Sequence, residues 1–178
     1  MKLAKDYNSV MGRSAEIMKA SLGLDFNDFE SGSVAFDYEG LMKATGYTIE
    51  EVDKIQSKTG VGHTQLLELR NITKLARKYA KPGYGARIFV KDEAANASGS
   101  FKDRRAACAV AHAKKLGYKG VIAATSGNYG AAVASQAAMQ GMKCIIVQEC
   151  YDSHGVGQPE IVEKARKCEA LGAEVIQL

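Results

Sequence analysis

The spacing of apolar positions divides this chain near residue 86. Before it, apolar residues recur at helical intervals, and residues 1–60 read as a mostly helical lead. Thr48-Ile49-Glu50-Glu51 has the form of a capping box, with Ile49, Val52 and Ile55 as an apolar stripe behind it. Ser31-Gly32-Ser33 reads as a loop ahead of that helix. Leu69, Ile72, Leu75, Ala76 and Tyr79 predict another helix, which Lys81-Pro82-Gly83-Tyr84-Gly85 ends.

After residue 86 short apolar runs alternate with longer amphipathic stretches. Arg87-Ile88-Phe89-Val90 predicts a strand, Lys102 to Leu116 a helix stopped at Gly117, and Val121-Ile122-Ala123-Ala124 a second strand. Tyr129 to Gln140 predicts an Ala-rich helix stopped at Gly141, and Cys144-Ile145-Ile146-Val147 a third strand. Pro159 to Leu171 predicts a helix with Pro in its first turn and Gly172 after its end. Ile161, Val162, Ala165, Cys168 and Leu171 form its apolar face, and Glu163 and Lys167 an expected i,i+4 pair on the other. Glu174 to Leu178 begins a fourth strand. The order βαβαβαβ predicts an α/β fold: a parallel sheet with helices on both faces, a three-layer αβα arrangement with right-handed crossovers. The expected organisation is a helical extension over residues 1–60 and an α/β domain over 61–178. Because the last residues read as a buried-type strand, the chain is expected to be a fragment of a longer protein.

Composition narrows the function classes. The chain carries 24 Lys and Arg against 20 Asp and Glu, a net charge of +4 spread without basic runs longer than two residues. That pattern argues against a nucleic-acid stripe or a polybasic membrane patch. Gly120 to Met142 lacks charge over a length that reaches across a bilayer. Thr125, Ser126, Asn128, Ser135, Gln136 and Gln140 make it too polar for a membrane span. Met1 to Tyr7 has no apolar run of the signal-peptide kind. Cys108, Cys144, Cys150 and Cys168 show neither zinc nor C-x-x-C spacing, and His63, His112 and His154 are scattered, so no metal site is expected. Reduced thiols and a cytoplasmic location follow as expectations.

Two strand-to-helix junctions carry candidate chemistry. In Asn96-Ala97-Ser98-Gly99-Ser100-Phe101-Lys102-Asp103-Arg104, small and polar residues permit a tight turn into a helix that opens at Lys102. The N-terminal end of a helix disfavours positive charge, a setting in which a lysine amine serves as a nucleophile for a Schiff base. A solvated lysine beside a capping serine accounts for the same spacing. The second junction, Thr125-Ser126-Gly127-Asn128-Tyr129-Gly130, follows a strand at the carboxyl edge of the expected sheet, where parallel α/β sheets bind ligands. Its amides suit a carboxylate or phosphate, and a plain helix cap built of Thr, Ser and Asn suits it equally.

Together these segments resemble the tryptophan synthase β-like, fold type II, pyridoxal-phosphate enzymes. Residues 96–104 resemble the cofactor-lysine motif, and residues 125–130 the asparagine loop. Gly62-His63-Thr64-Gln65-Leu66 is similar to the motif ahead of the first helix. Lys164-Ala165-Arg166 through Leu171-Gly172-Ala173-Glu174-Val175 resembles the helix and strand that follow. The resemblance covers about residues 60–178 and implies a Rossmann-like small domain. It implies that Lys102 holds pyridoxal 5'-phosphate as an imine and acts as general base or acid. It implies that Asn128 hydrogen-bonds the cofactor's ring hydroxyl, and that Thr125, Ser126 and Gly127, beside Asn128, hold the substrate carboxylate. Phe101 and Arg104 are expected to brace the turn. Ala97 stands where the family has proline, and Gln65 where it has the proline of Thr-Pro. The family's glycine-rich phosphate loop and the residue facing the pyridine nitrogen lie downstream of residue 178, so this chain is expected to hold half a cofactor site and to be inactive alone.

Within the family, Phe-Lys-Asp-Arg and Ser-Gly-Asn-Tyr-Gly fit the threonine synthase-like branch. The helical lead, including Ala35 to Glu39, and Gln148 to Ser153 are most similar to the β-subunit branch of 2-amino-4-oxopentanoate thiolases. That branch implies an amino-acid substrate, coenzyme A, a small α subunit and homo-oligomers. Threonine synthase, another β-replacement or elimination enzyme, and a non-catalytic isolated domain are the alternatives.

Overall fold

The computed structural model describes residues 6, 8–9, 12–32 and 35–178. Ser33 of the expected loop, and Met1 to Lys5 and Tyr7 of the leader reading, lie outside these. The chain divides into two compact units, with the boundary along the sequence between Val52 and Asp53.

The N-terminal unit contains helices α1 (Ser14–Leu22) and α2 (Tyr38–Ala44), a 3₁₀ turn at Phe26–Phe29, and a hairpin of β1 (Glu30–Ser31) with β2 (Ala35–Phe36). The helical lead is therefore interrupted by a hairpin. Phe36 is the reason: its ring lies 4.8 Å from Phe26 and 4.9 Å from Tyr38, an aromatic cluster that helical spacing alone does not assemble. Helix α3 (Ile49–Ser57) begins at the expected capping box. Thr48 Oγ1 accepts from the Glu51 N–H, and Glu51 Oε2 accepts from the Thr48 N–H.

The second unit holds α4 (Arg70–Tyr79) between β3 (Leu66–Glu68) and β4 (Phe89–Lys91). These strands pair antiparallel, Leu67 opposite Val90, with Arg87 on Glu68 at 3.2 Å beside the ladder. This corrects the expected element order: the strand near residue 90 is not a member of the parallel sheet. Residues 66–68 run straight into a helix without a turn signal, so their strand character depends on a partner more than twenty positions away.

The parallel sheet has three strands, β5 (Gly120–Ala124), β6 (Lys143–Gln148) and β7 (Glu174–Gln177), in the order β5-β6-β7. Helices α5 (Lys102–Lys115), α6 (Asn128–Gln140) and α7 (Pro159–Ala170) alternate with them. The α/β class holds, and α6 packs between α5 and α7 on one face of the sheet. Ala106, Val110, Ala131, Ala134 and Ala137 from the helices meet Ala123, Cys144 and Ile146 from the strands. Alternate strand positions point the other way. There Ile122 is 69% exposed and Ile176 41% exposed, so among the described residues the covering helices lie on one face rather than two. Small residues let α6 approach closely: a Cβ at Gly130 would stand 3.1 Å from Ile146 Cγ2 and 3.2 Å from Thr125 Cγ2.

No helix among the described residues is long and apolar enough to cross a membrane. The four cysteines are free thiols, with Cys144, Cys150 and Cys168 buried.

Candidate active site

The turn that opens α5 is fixed from several directions. Gly99 takes φ +80°, a conformation that side-chain-bearing residues rarely adopt, and its N–H donates to the Asn96 carbonyl at 2.8 Å. Asn96 is buried. Its Oδ1 accepts from the Gly62 N–H, and its Nδ2 donates to the Glu93 carbonyl and to Glu93 Oε2. Glu93 in turn accepts two hydrogen bonds from Arg104, at 2.7 and 2.8 Å, and one from the Thr64 hydroxyl at 2.8 Å. Arg104, assisted by Thr64 and Asn96, holds the Glu93 carboxyl down at about 2. Lys91 Nζ donates to the Thr64 carbonyl, so residues 62–64 are stapled to the same cluster.

Asp103 is 0% exposed, and its Oδ2 accepts from both the N–H and the hydroxyl of Ser98, at 2.8 and 2.7 Å. Lys102, the first residue of α5, is half-buried. Its Nζ lies 4.3 Å from the centre of the Phe101 ring and takes part in no ion pair among the described residues. Arg104 braces the turn, as its motif position implies. Glu93 and Lys167 do so without any local signal in the sequence. Lys167 donates to the Ser98 carbonyl at 2.6 Å rather than pairing with Glu163.

The second junction lies at the same edge of the sheet. Helix α5 runs back along β5 through a short connection, so its N-terminus and that of α6 both stand where β5 ends. Arg105, one turn into α5, lies 4.6 Å over the ring of Tyr129 in the first turn of α6. Lys102 and Asn128 thus sit on neighbouring helix N-termini. Thr125 Oγ1 accepts from the Gly127 N–H at 3.1 Å, and no side chain caps α6. The simple side-chain cap is therefore absent, and the first-turn amides of a 13-residue helix face the edge without one. Asn128 is exposed and its side-chain amide makes no hydrogen bond among the described residues.

A cavity of about 540 Å³ opens beside this loop, lined by Thr125 and Ser126 on one side and by Glu149, Tyr151 and Asp152 on the other. Asp152 closes the turn below it, accepting from the N–H groups of His154 and Val156. Among the described residues no group of three His, Cys, Asp or Glu is placed to hold a metal.

An amine free of ion pairs, an unpartnered carboxamide and uncapped helix amides at one sheet edge fit a carbonyl-bearing, anionic cofactor held covalently. A family profile described as pyridoxal-phosphate dependent enzyme matches residues 57–178. The chain belongs to this family. Its members use pyridoxal 5'-phosphate. Over 99% of its length the chain is 75% identical to the 2-amino-4-ketopentanoate thiolase beta subunit of Acetoanaerobium sticklandii, and it spans 38% of that relative. It is 37% identical over 79% of its length to a threonine synthase from a Bacillus species, spanning 36% of that protein. Among solved structures it is similar to a hydrogen sulfide-producing enzyme from Fusobacterium nucleatum. The TM-score is 0.51 at 30% identity, over 68% of this chain and 36% of that one. Family members thus extend well beyond the segment described by this chain.

Proposed function

We propose that this chain is the N-terminal part of a pyridoxal-phosphate-dependent thiolase β subunit that cleaves 2-amino-4-oxopentanoate with coenzyme A to acetyl-CoA and alanine. The observation that carries the reading is the shared edge of Lys102 and Asn128, taken with 75% identity to a thiolase β subunit. In this cleavage the coenzyme A sulfur attacks the C4 carbonyl and the C3–C4 bond breaks. The acetyl group stays on sulfur, and C3 takes a proton to become the methyl group of alanine. The cofactor, when bound, supplies an electron sink for the charge left on the amino-acid fragment.

The chain's own residues have separate tasks in this reading. Lys102 holds the cofactor through its amine and carries the proton at the substrate's α-carbon. Asn128 donates to the cofactor's ring oxygen. The hydroxyls of Thr125 and Ser126 and the amides from Gly127 onward hold the substrate carboxylate. Residues 1–60 form an extension, residues 61–178 the domain with the lysine and asparagine loops, and a downstream half supplies the contacts to the cofactor's phosphate and pyridine nitrogen. A small α subunit, a homo-oligomeric assembly and a cytoplasmic location complete the proposal.

The test is an assay of the longer protein that carries this segment, together with its α partner. Thioester formation from 2-amino-4-oxopentanoate and coenzyme A, lost with the cofactor colour in Lys102→Ala, is the expected result. Turnover of phosphohomoserine without coenzyme A-dependent cleavage overturns it in favour of a threonine synthase. Full activity and colour in Lys102→Ala ends the role given to that lysine.

A further inference from the structure

Lys167 reaches the lysine turn from a distant part of the chain. It belongs to α7, 69 positions from Ser98, and its ammonium donates to the Ser98 carbonyl. The N–H and hydroxyl of the same serine are taken by Asp103 in the first turn of α5. All three polar groups of Ser98 are thus held by charged side chains from two different helices. Asp103 Oδ1 is buried without a partner, so this carboxylate depends on Ser98 alone for its hydrogen bonds. Just beyond Ser98 stands Gly99 at φ +80°, a backbone conformation that only glycine adopts without strain. The Lys167 ammonium passes within 3.9 Å of where a Gly99 Cβ would be.

The element that carries Lys167 is rigidly seated. Ile161, Ala165 and Cys168 bury the opposite side of α7, and Cys168 belongs to the cluster that includes Ile146. A long side chain anchored on a packed helix places its charge reproducibly. We propose that Lys167 is a positioning residue for Lys102: it pins the Ser98 peptide to α7 and so fixes the turn from which the cofactor-bearing lysine starts. The consequence for cofactor binding rests on the function proposed above, and the pinning itself does not.

The two parts are separated by comparing the wild-type chain with Lys167→Met and Lys167→Arg. The first readout is amide hydrogen exchange. In Lys167→Met the N–H groups of Ser98, Gly99 and Lys102 are expected to exchange about tenfold faster. Amides from Ala106 onward in α5 are expected to keep their rates, and Arg, which also donates to a carbonyl, to restore the turn. The second readout is borohydride reduction of the longer protein that carries this segment, after addition of pyridoxal phosphate, with the modified lysines mapped by mass spectrometry. The share of label on Lys102 is expected to fall several-fold in the Met variant and recover in the Arg variant. Unchanged exchange in the turn overturns the proposal. So does faster exchange throughout α5 and α7, which marks a general loss of folding. Faster exchange confined to the turn, with label spread over many lysines already in the wild-type longer protein, upholds the pinning and counts against the role given to Lys102.

Discussion

Glu93 and Arg104 join in a two-point ion pair that closes around the lysine turn, with the Arg104 Nε and Nη2 groups 2.7 and 2.8 Å from the two carboxylate oxygens. The pair spans eleven positions, and everything between them is the segment that presents Lys102. The geometry is bidentate, the most specific form an arginine and a carboxylate adopt. Glu93 also accepts from Thr64 and Asn96, so its loss removes a partner from four donor groups on three side chains. Glu93→Ala is expected to lower stability by about 2 kcal/mol. A double-mutant cycle with Arg104→Ala, read by urea unfolding, checks it. Additive effects of the two substitutions would refute the coupling.

The same carboxylate sets an acid dependence. Its folded-state value of about 2 lies below the ordinary 4.5, so between these values the unfolded chain binds the proton and the folded chain does not. The stability contributed by this group is therefore fully present above about pH 4.5 and is lost as pH falls towards 2. Unfolding midpoints of the wild type should fall more steeply over that window than those of Glu93→Gln. Parallel curves would show that other carboxylates govern the acid limb.

Gly130 connects packing to the candidate site. Its place against Ile146 and Thr125 leaves no room for a methyl group without a shift of a few tenths of an ångström. Gly130→Ala gains helix propensity but overpacks the contact between α6 and β6. We expect overpacking to win, with a net loss of about 1 kcal/mol and a melting temperature lower by roughly 2–4 °C. Because Thr125 is one of the two side chains in contact, its loop should shift as well, visible in the amide resonances of residues 125–127. A melting temperature equal to or above that of the wild type would mean that the neighbours yield at no cost.

The legible parts of this fold are those whose signals are local. The starts of α3 and α7, the helix stops at Gly117, Gly141 and Gly172, and the runs that become β5, β6 and β7 each depend on neighbouring residues. The helix that opens at Lys102, and the one that opens at Asn128 a residue ahead of the expected Tyr129, also follow turns rich in small residues, whereas the roles given to Lys102 and Asn128 rest on the family resemblance. What escaped depends on distance along the chain. Leu66–Glu68 becomes a strand only because Phe89–Lys91 lies beside it. Lys167 looks like half of an i,i+4 surface pair until α7 is laid against the lysine turn. Glu93 sits in a short polar stretch with nothing nearby to mark it as the centre of a network. The open face bearing Ile122 and Ile176 has a related cause, because apolar strands imply that both faces are covered without saying by what.

The thiols give a prediction about reactivity. Burial, and secondarily the neighbouring Cys168 thiol, pushes Cys144 up to about 11, and burial raises Cys168 and Cys108 as well. At pH 8 Cys144 is then thiolate in only about one molecule in a thousand, and the thiolate is the species that alkylates. Cys144 and Cys168 are moreover closed off by the core between α6, α7 and the sheet. In the folded chain at pH 8, iodoacetamide should therefore modify Cys144 and Cys168 orders of magnitude more slowly than in urea. Their rates should follow global unfolding, because reaching either sulfur requires the helices to leave the sheet. Rapid alkylation of Cys144 in the native chain, with the circular dichroism unchanged, would mean that α7 separates from the sheet on its own.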